Sequence, residues 1–325
     1  MNINRRAWLG TAALTGAAAL TGRLPVVAQA STGNTSSGRA GAAATGKAMP
    51  LALSVKNAEG FRDDHVIKST KVLEEFIAIA KNAGYDAVHL RASVAGLQTP
   101  FDRLYDMRAK LKAAGLRVSS VSPDFPVPIN NDHAPDCLHN ITPYLAFAEI
   151  FETDMIRVGM KKEADIPWAQ RAADEARERN LKLVHHAESF TLFENFELAL
   201  KTLKAINRPN FGLQHDEAQW LANTPNYREE DIVPHIKAVG PWIWEVFIKN
   251  NPGGPGSMVR PEITLDAPGG VNFPKVFEGL YAIGYKGYIQ VHEGRDSYGN
   301  SVATAARKCY EFLKPFCDRA NKAGA

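Results

Sequence analysis

Cysteine is scarce: Cys137, Cys309 and Cys317 are the only three in 325 residues. That excludes a disulfide-framed scaffold and a zinc ribbon. Cys309 and Cys317, eight apart in a helical pattern, can share one face; the set reads as buried or idle thiols, with a single bridge as the alternative. No G-x-G-x-x-G follows a strand and opens a helix, so a dinucleotide fold has no support. A basic excess is missing too. The formal charge is +3, but Arg5, Arg6 and Arg23 belong to an acid-free first 30 residues, and without them 35 basic and 35 acidic residues remain. A nucleic-acid-binding domain would show basic stripes. With 45% apolar and 22% charged residues, the chain is neither disordered nor fibrous.

Residues 1–30 read as an export leader. Arg5-Arg6 precede Trp8-Leu9, an uncharged Ala/Leu-rich run spans Ala7 to Gly22, and Ala28-Gln29-Ala30 gives a small-x-small cleavage pattern. The run is too short and too weakly apolar to span a membrane. The adjacent arginines resemble a twin-arginine signal, which implies a periplasmic address; an ordinary secretory signal is the alternative. Residues 31–49 are mostly Gly, Ala, Ser and Thr. They bury too little apolar surface to offset their ordering entropy and read as a disordered linker. The folded domain is expected over 50–320.

From residue 50 short β-rich runs alternate with longer amphipathic ones. Strands are expected at Leu51–Val55, Ala87–Arg91, Arg117–Val121, Met155–Val158, Leu181–His186, Phe211–His215, Trp242–Ile248 and Gly287–Val291. Helical patterns lie between them; over Lys71–Asn82, for instance, Val72, Leu73, Phe76, Ile77 and Ala80 share one face. Gly84, Gly115 and Gly284 each stand just past a helix, where glycine takes the left-handed cap conformation without a Cβ clash. Eight βα units with no additional strands match a single-domain α/β (β/α)8 TIM barrel. A doubly wound open sheet is the alternative.

In such barrels chemistry gathers at the C-terminal strand ends. Arg91 ends the second strand. The fifth ends in His185-His186-Ala187-Glu188 and the sixth in His215-Asp216-Glu217. The seventh carries Glu245, Phe247 and Lys249, and the eighth ends in His292-Glu293. Four of nine histidines stand there, each within three residues of a carboxylate. Side chains alternate along a strand, so His186 and Glu188 share a face that His185 does not. Imidazoles and carboxylates converging on one mouth suit a divalent ion, Mn²⁺ or Mg²⁺ foremost and Zn²⁺ as an alternative. For any one histidine the competing reading is a hydrogen-bonded residue of the barrel rim.

Three stretches give the chain a resemblance to the xylose isomerase-like barrel family of sugar isomerases and epimerases: 181–188, 210–216 and 284–293. The resemblance covers 51–316. It implies metal ligation by Asp216 and Glu293, with His186 where the family has glutamate, and Glu245 or Glu188 supplying the next ligand. The family's strand-7 histidine falls on Phe247, and its histidine after the strand-6 aspartate falls on Gln219. Arg91, Gln219, Trp220, Phe247, Lys249 and His292 are the expected substrate contacts.

The chemistry implied is proton abstraction next to a carbonyl of a small carbohydrate, assisted by the metal. Glu293, His186 and Glu188 are the catalytic candidates. Because His186 breaks a symmetrical two-glutamate shuttle, the alternatives are a lyase or hydrolase acting on 3-keto-sugars or glycosides, or a non-catalytic sugar-binding barrel. Without a metal, His186 and Glu188 would form the acid/base pair. No nucleic-acid partner is expected, and self-association stays open. Two long connections, Pro123–His139 and Asn250–Gly270, are expected on the mouth side.

Overall fold

The computed structural model describes residues 49–61, 67–124, 132–251, 263–292 and 295–323. The leader, the linker up to residue 48, Glu293 and most of the Asn250–Gly270 connection lie outside them.

Eight parallel strands close into a barrel. They are β1 (Leu51–Ser54), β2 (Ala87–Arg91), β3 (Arg117–Ser122), β4 (Met155–Val158), β5 (Lys182–His186), β6 (Phe211–His215), β7 (Ile243–Ile248) and β8 (Tyr288–Val291). Closure is direct: Leu51 pairs with Ile289 and Leu53 with Val291. The open-sheet alternative therefore falls. Each strand is packed on both faces, which is why it appears in the sequence as a short, mostly apolar run.

Helices cover the outside. The helix Leu73–Ala83 buries Leu73, Phe76, Ile77 and Ala80, the stripe expected from spacing. Val72 departs from it. It is the N-cap, before the helical turns begin, and is 62% exposed. Gly84 ends the helix at φ 101°, and Tyr310 lies so close that a Cβ there would meet its ring at 2.7 Å. Gly115 and Gly284 also take positive φ. All three cysteines are buried and unbridged, as the simpler reading of them had it.

The structure adds elements between the expected ones. After β1 an antiparallel pair, Glu59–Phe61 with Ile67–Ser69, stands outside the barrel sheet. The expectation of no additional strands is corrected. Three-residue strands, one of them centred on Gly60, carry too little periodicity to register in a sequence. A seven-residue helix, Glu217–Asn223, follows β6 directly. After β7, Asn250 organises the described end of the long connection. Its Nδ2 donates to the Thr264 carbonyl at 3.0 Å, and its Oδ1 accepts from the Val271 N–H at 2.9 Å. Among the described residues no helix is long and apolar enough to cross a membrane.

Candidate active site

The barrel interior is layered. At the end where strands begin, two apolar clusters form a plug: Ala52 with Ala87 and Tyr288, and Met155 with Val184 and Trp244. Above it lies a polar layer. The Glu245 Oε2 accepts from Ser120 Oγ at 2.7 Å and from Gln214 Nε2 at 2.5 Å, and Ser120 Oγ lies 2.6 Å from His89 Nδ1. Burial raises the Glu245 carboxyl above its usual range.

The mouth layer holds three cation–carboxylate pairs, with Lys249 alone partly exposed among their side chains. Arg91 Nε donates to Glu59 Oε1 at 2.8 Å. Arg157 Nη2 donates to Glu188 Oε2 at 2.9 Å. Lys249 Nζ stands 3.1 Å from Asp216 Oδ2. At the centre lies the Phe247 ring. His292 stacks on it with ring centres 4.6 Å apart and planes 16° apart, and His186 tilts against it at 4.5 Å.

Local structure aims Asp216 into this layer. It is the N-cap of the helix Glu217–Asn223, its Oδ1 accepting from the Gln219 N–H at 3.2 Å. With Oδ1 held by the backbone, Oδ2 is free to meet His186 Nε2 at 2.8 Å. Burial works to raise Asp216, but Lys249 and His186 outweigh it and hold the carboxyl at about 2. An ionised carboxylate only accepts, so His186 Nε2 carries the proton in this pair. Burial, with Arg157 nearby, keeps the imidazole neutral, well below the usual histidine range. His186 Nδ1 then bears a lone pair. It has no hydrogen-bond partner, and the nearest carboxylate oxygen, of Glu188, is 3.9 Å away.

The expected residues fall into three groups. Brought together at the mouth are Arg91, His186, Glu188, Asp216, Phe247, Lys249 and His292. Placed elsewhere are Trp220 and Glu245. Trp220 is packed in the wall with 1% exposure; its indole N–H donates to the Phe193 carbonyl at 3.2 Å and its ring meets His215 edge-on. It is core and not a platform for a sugar. Glu245 sits a layer below Asp216 among hydroxyl and amide donors. Gln219 meets Asp216 through its backbone N–H at 3.2 Å, and its side chain accepts from Ser189 Oγ at 3.3 Å. Glu293 lies outside the described residues. His185 and His215 face away from the mouth: His185 accepts from the Met160 N–H at 2.9 Å and its Nδ1 lies 2.6 Å from the His186 carbonyl oxygen, while His215 Nε2 bonds Glu217 at 2.9 Å and its Nδ1 has no hydrogen-bond partner.

These donors do not fit a divalent ion. Among the described residues no group of three or more His, Cys, Asp or Glu side chains could hold one. Each described mouth carboxylate is already neutralised by a side-chain cation, and an ion on Asp216 would have to displace both Lys249 and the His186 N–H. Of the expected quartet, the described residues bring together His186 and Asp216, already bonded to each other, and leave Glu245 a layer below.

Glu59, Arg157 and Ser122 went unread in the sequence. Arg157 had a signal, a lone charge inside the apolar run Met155–Val158. Glu59 had none, because its strand was not anticipated.

The model of the xylose isomerase-like TIM barrel matches residues 77–316. Several solved structures share the fold. A xylose isomerase-like TIM barrel protein from Mycobacterium smegmatis in complex with magnesium is 16% identical over 84% of this chain and 97% of its own, with a TM-score of 0.65. A D-allulose 3-epimerase from Methylomonas sp. is 16% identical over 83% and 98%, with a TM-score of 0.59. The probable 3-DHS dehydratase AsbF from Bacillus anthracis is 13% identical over 82% and 99%, with a TM-score of 0.61. A comparison with curated proteins finds no match.

Proposed function

The chain belongs to the xylose isomerase-like TIM barrel family, and from that premise we propose that it is an enzyme of small carbohydrates that removes a proton next to a carbonyl. The observation that carries this is the His186–Asp216 pair, whose free Nδ1 is buried at the mouth. Asp216 fixes the tautomer and stabilises the imidazolium that forms when Nδ1 takes the proton. The oxyanion developing on the carbonyl oxygen is met by the Lys249 ammonium and the Arg157 guanidinium, charges already desolvated and in place. Returning the proton to the neighbouring carbon or to the opposite face gives isomerisation or epimerisation.

A second outcome of the same deprotonation is elimination. It is favoured by the asymmetry of the mouth, where His186 is a neutral base and Glu188 is a carboxylate tied to Arg157. In this reading the protein is a lyase on a 3-keto-sugar or glycoside. The relatives are named for epimerase and dehydratase chemistry alike, which supports keeping both. The test is solvent-deuterium incorporation next to the carbonyl, followed by NMR over a panel of ketoses and 3-keto-glycosides. His186→Gln should abolish it, and the product separates epimerase from lyase. Tight binding with neither exchange nor product would make the protein a receptor.

We further propose a periplasmic address, from Arg5-Arg6 and the cleavage pattern at Ala28-Gln29-Ala30. Replacing the pair with Lys-Lys should hold precursor in the cytoplasm; undiminished processing would point to the general secretory route.

A further inference from the structure

A hydrogen-bonded chain runs up through the barrel beside the pair just described and shares no residue with it. Ser122 Oγ lies 3.2 Å from His89 Nε2, His89 Nδ1 lies 2.6 Å from Ser120 Oγ, and Ser120 Oγ lies 2.7 Å from Glu245 Oε2. With the Glu245 carboxyl ionised, its direction follows from donor counting. Ser120 has one proton, and it goes to Glu245. Ser120 can then only accept from His89, so His89 Nδ1 is the N–H and Nε2 the lone pair. Ser122 must therefore donate its proton to Nε2. A serine hydroxyl pointing its proton at a neutral imidazole, itself oriented from behind by a carboxyl group, is an activated nucleophile. The departure from the usual arrangement is that Ser120 relays the carboxyl to the imidazole.

The surroundings point the same way. Ser122 ends β3 at the level of Arg91, its Cα partner on β2. The pairing of Val121 with Ile156 puts Arg157 on the next strand of the other side. Ser122 is thus flanked by two arginines. The Arg157 Nε is buried and has no hydrogen-bond partner, which leaves a charged donor for an oxyanion. Burial, with Arg91 and Arg157 nearby, keeps His89 neutral, so that Nε2 holds a lone pair for the Ser122 proton.

We infer that Ser122 and His89 form a second catalytic pair that transfers the acyl group of small carboxylic esters, such as an O-acetylated polyol. Ser122 Oγ attacks the ester carbonyl carbon and its proton passes to His89 Nε2. The bond from carbon to the alcohol oxygen breaks, and that oxygen takes the proton from His89. Water then attacks the acyl-serine, again giving its proton through His89. The carboxylic acid leaves and the Ser122 hydroxyl is restored. No redox partner is needed.

The test is to incubate the full chain with p-nitrophenyl acetate, follow p-nitrophenolate release, and map the acetyl group by peptide mass spectrometry. The expected result is one acetyl group on Ser122, with release slowed by about 100-fold in Ser122→Ala and in His89→Gln. A circular dichroism spectrum and melt would show that each variant is folded. The wild-type map decides even if a variant fails to fold. Acetylation confined to lysines, or release unchanged in folded Ser122→Ala, would overturn the inference. Because the assay contains no sugar carbonyl, its failure leaves the His186 reading standing, and the reverse holds too.

Discussion

Lys249 Nζ stands 3.1 Å from Asp216 Oδ2, the same oxygen that His186 Nε2 approaches to 2.8 Å. One carboxylate oxygen therefore serves an ammonium and an imidazole N–H at once. A cation drawn from the chain itself occupies the aspartate that the sequence resemblance assigns to a metal ion.

Asp216→Asn keeps the shape of the carboxylate and removes its charge. His186 loses the partner that fixes its tautomer, and Lys249 loses its counter-charge. Deuterium exchange into the substrate should slow by about 100-fold or more, with a urea melt confirming that the variant is folded.

Elemental analysis of the purified protein should find less than one divalent ion per chain, and EDTA should leave deuterium exchange unchanged. An ion held one per chain, and lost together with activity, would instead assign Glu293 to a metal site with His186 and Asp216.

Arg157 and Glu188 are both nearly inaccessible, with side-chain exposures of 2% and 8%. Glu188→Gln leaves a guanidinium buried without its counter-charge and should cost about 3–5 kcal/mol in urea unfolding. The exposed pair Lys201–Glu163, at 69% each, is the comparison; Glu163→Gln should leave the urea midpoint in place.

Acid should unfold the barrel early. Burial holds His185 at about 3 and keeps His89 well below the usual range. In the unfolded chain both titrate near pH 6.5. Between those values the unfolded chain binds protons that the folded one refuses, so stability falls as pH drops through about 6.5 and is flat above it. Each such histidine contributes a slope of up to about 1.4 kcal/mol per pH unit. Urea midpoints measured between about pH 7.5 and pH 5 check the direction; a rise on acidification would contradict it.

The strands were legible because a parallel barrel buries both faces of each one. Ala87–Arg91, Met155–Val158 and Phe211–His215 were bounded to the residue. The identity of the mouth residues was legible for the same reason: His186, Asp216 and Lys249 interrupt or end apolar runs. Their partners were not. Alternation places His186 and Asp216 on the inner face, but it carries no information about whether two inward donors bond each other or share an ion. That depends on how far Lys249 reaches and on Phe247 filling the centre. Trp220 was misjudged because it lies on a seven-residue helix directly after Asp216, too short to stand out as a periodic run.

The seam between β1 and β8 also sets a schedule. β1 leaves the ribosome first of the eight strands, and Ile289, the partner of Leu51, follows roughly 240 residues later. At about 5–20 residues per second, β1 waits roughly 10–50 s for the strand that closes the wall. During that interval a strand edge stands open. A nascent chain in this state is a client for chaperones, and a transport route that accepts only finished proteins would have to hold off until translation is nearly over.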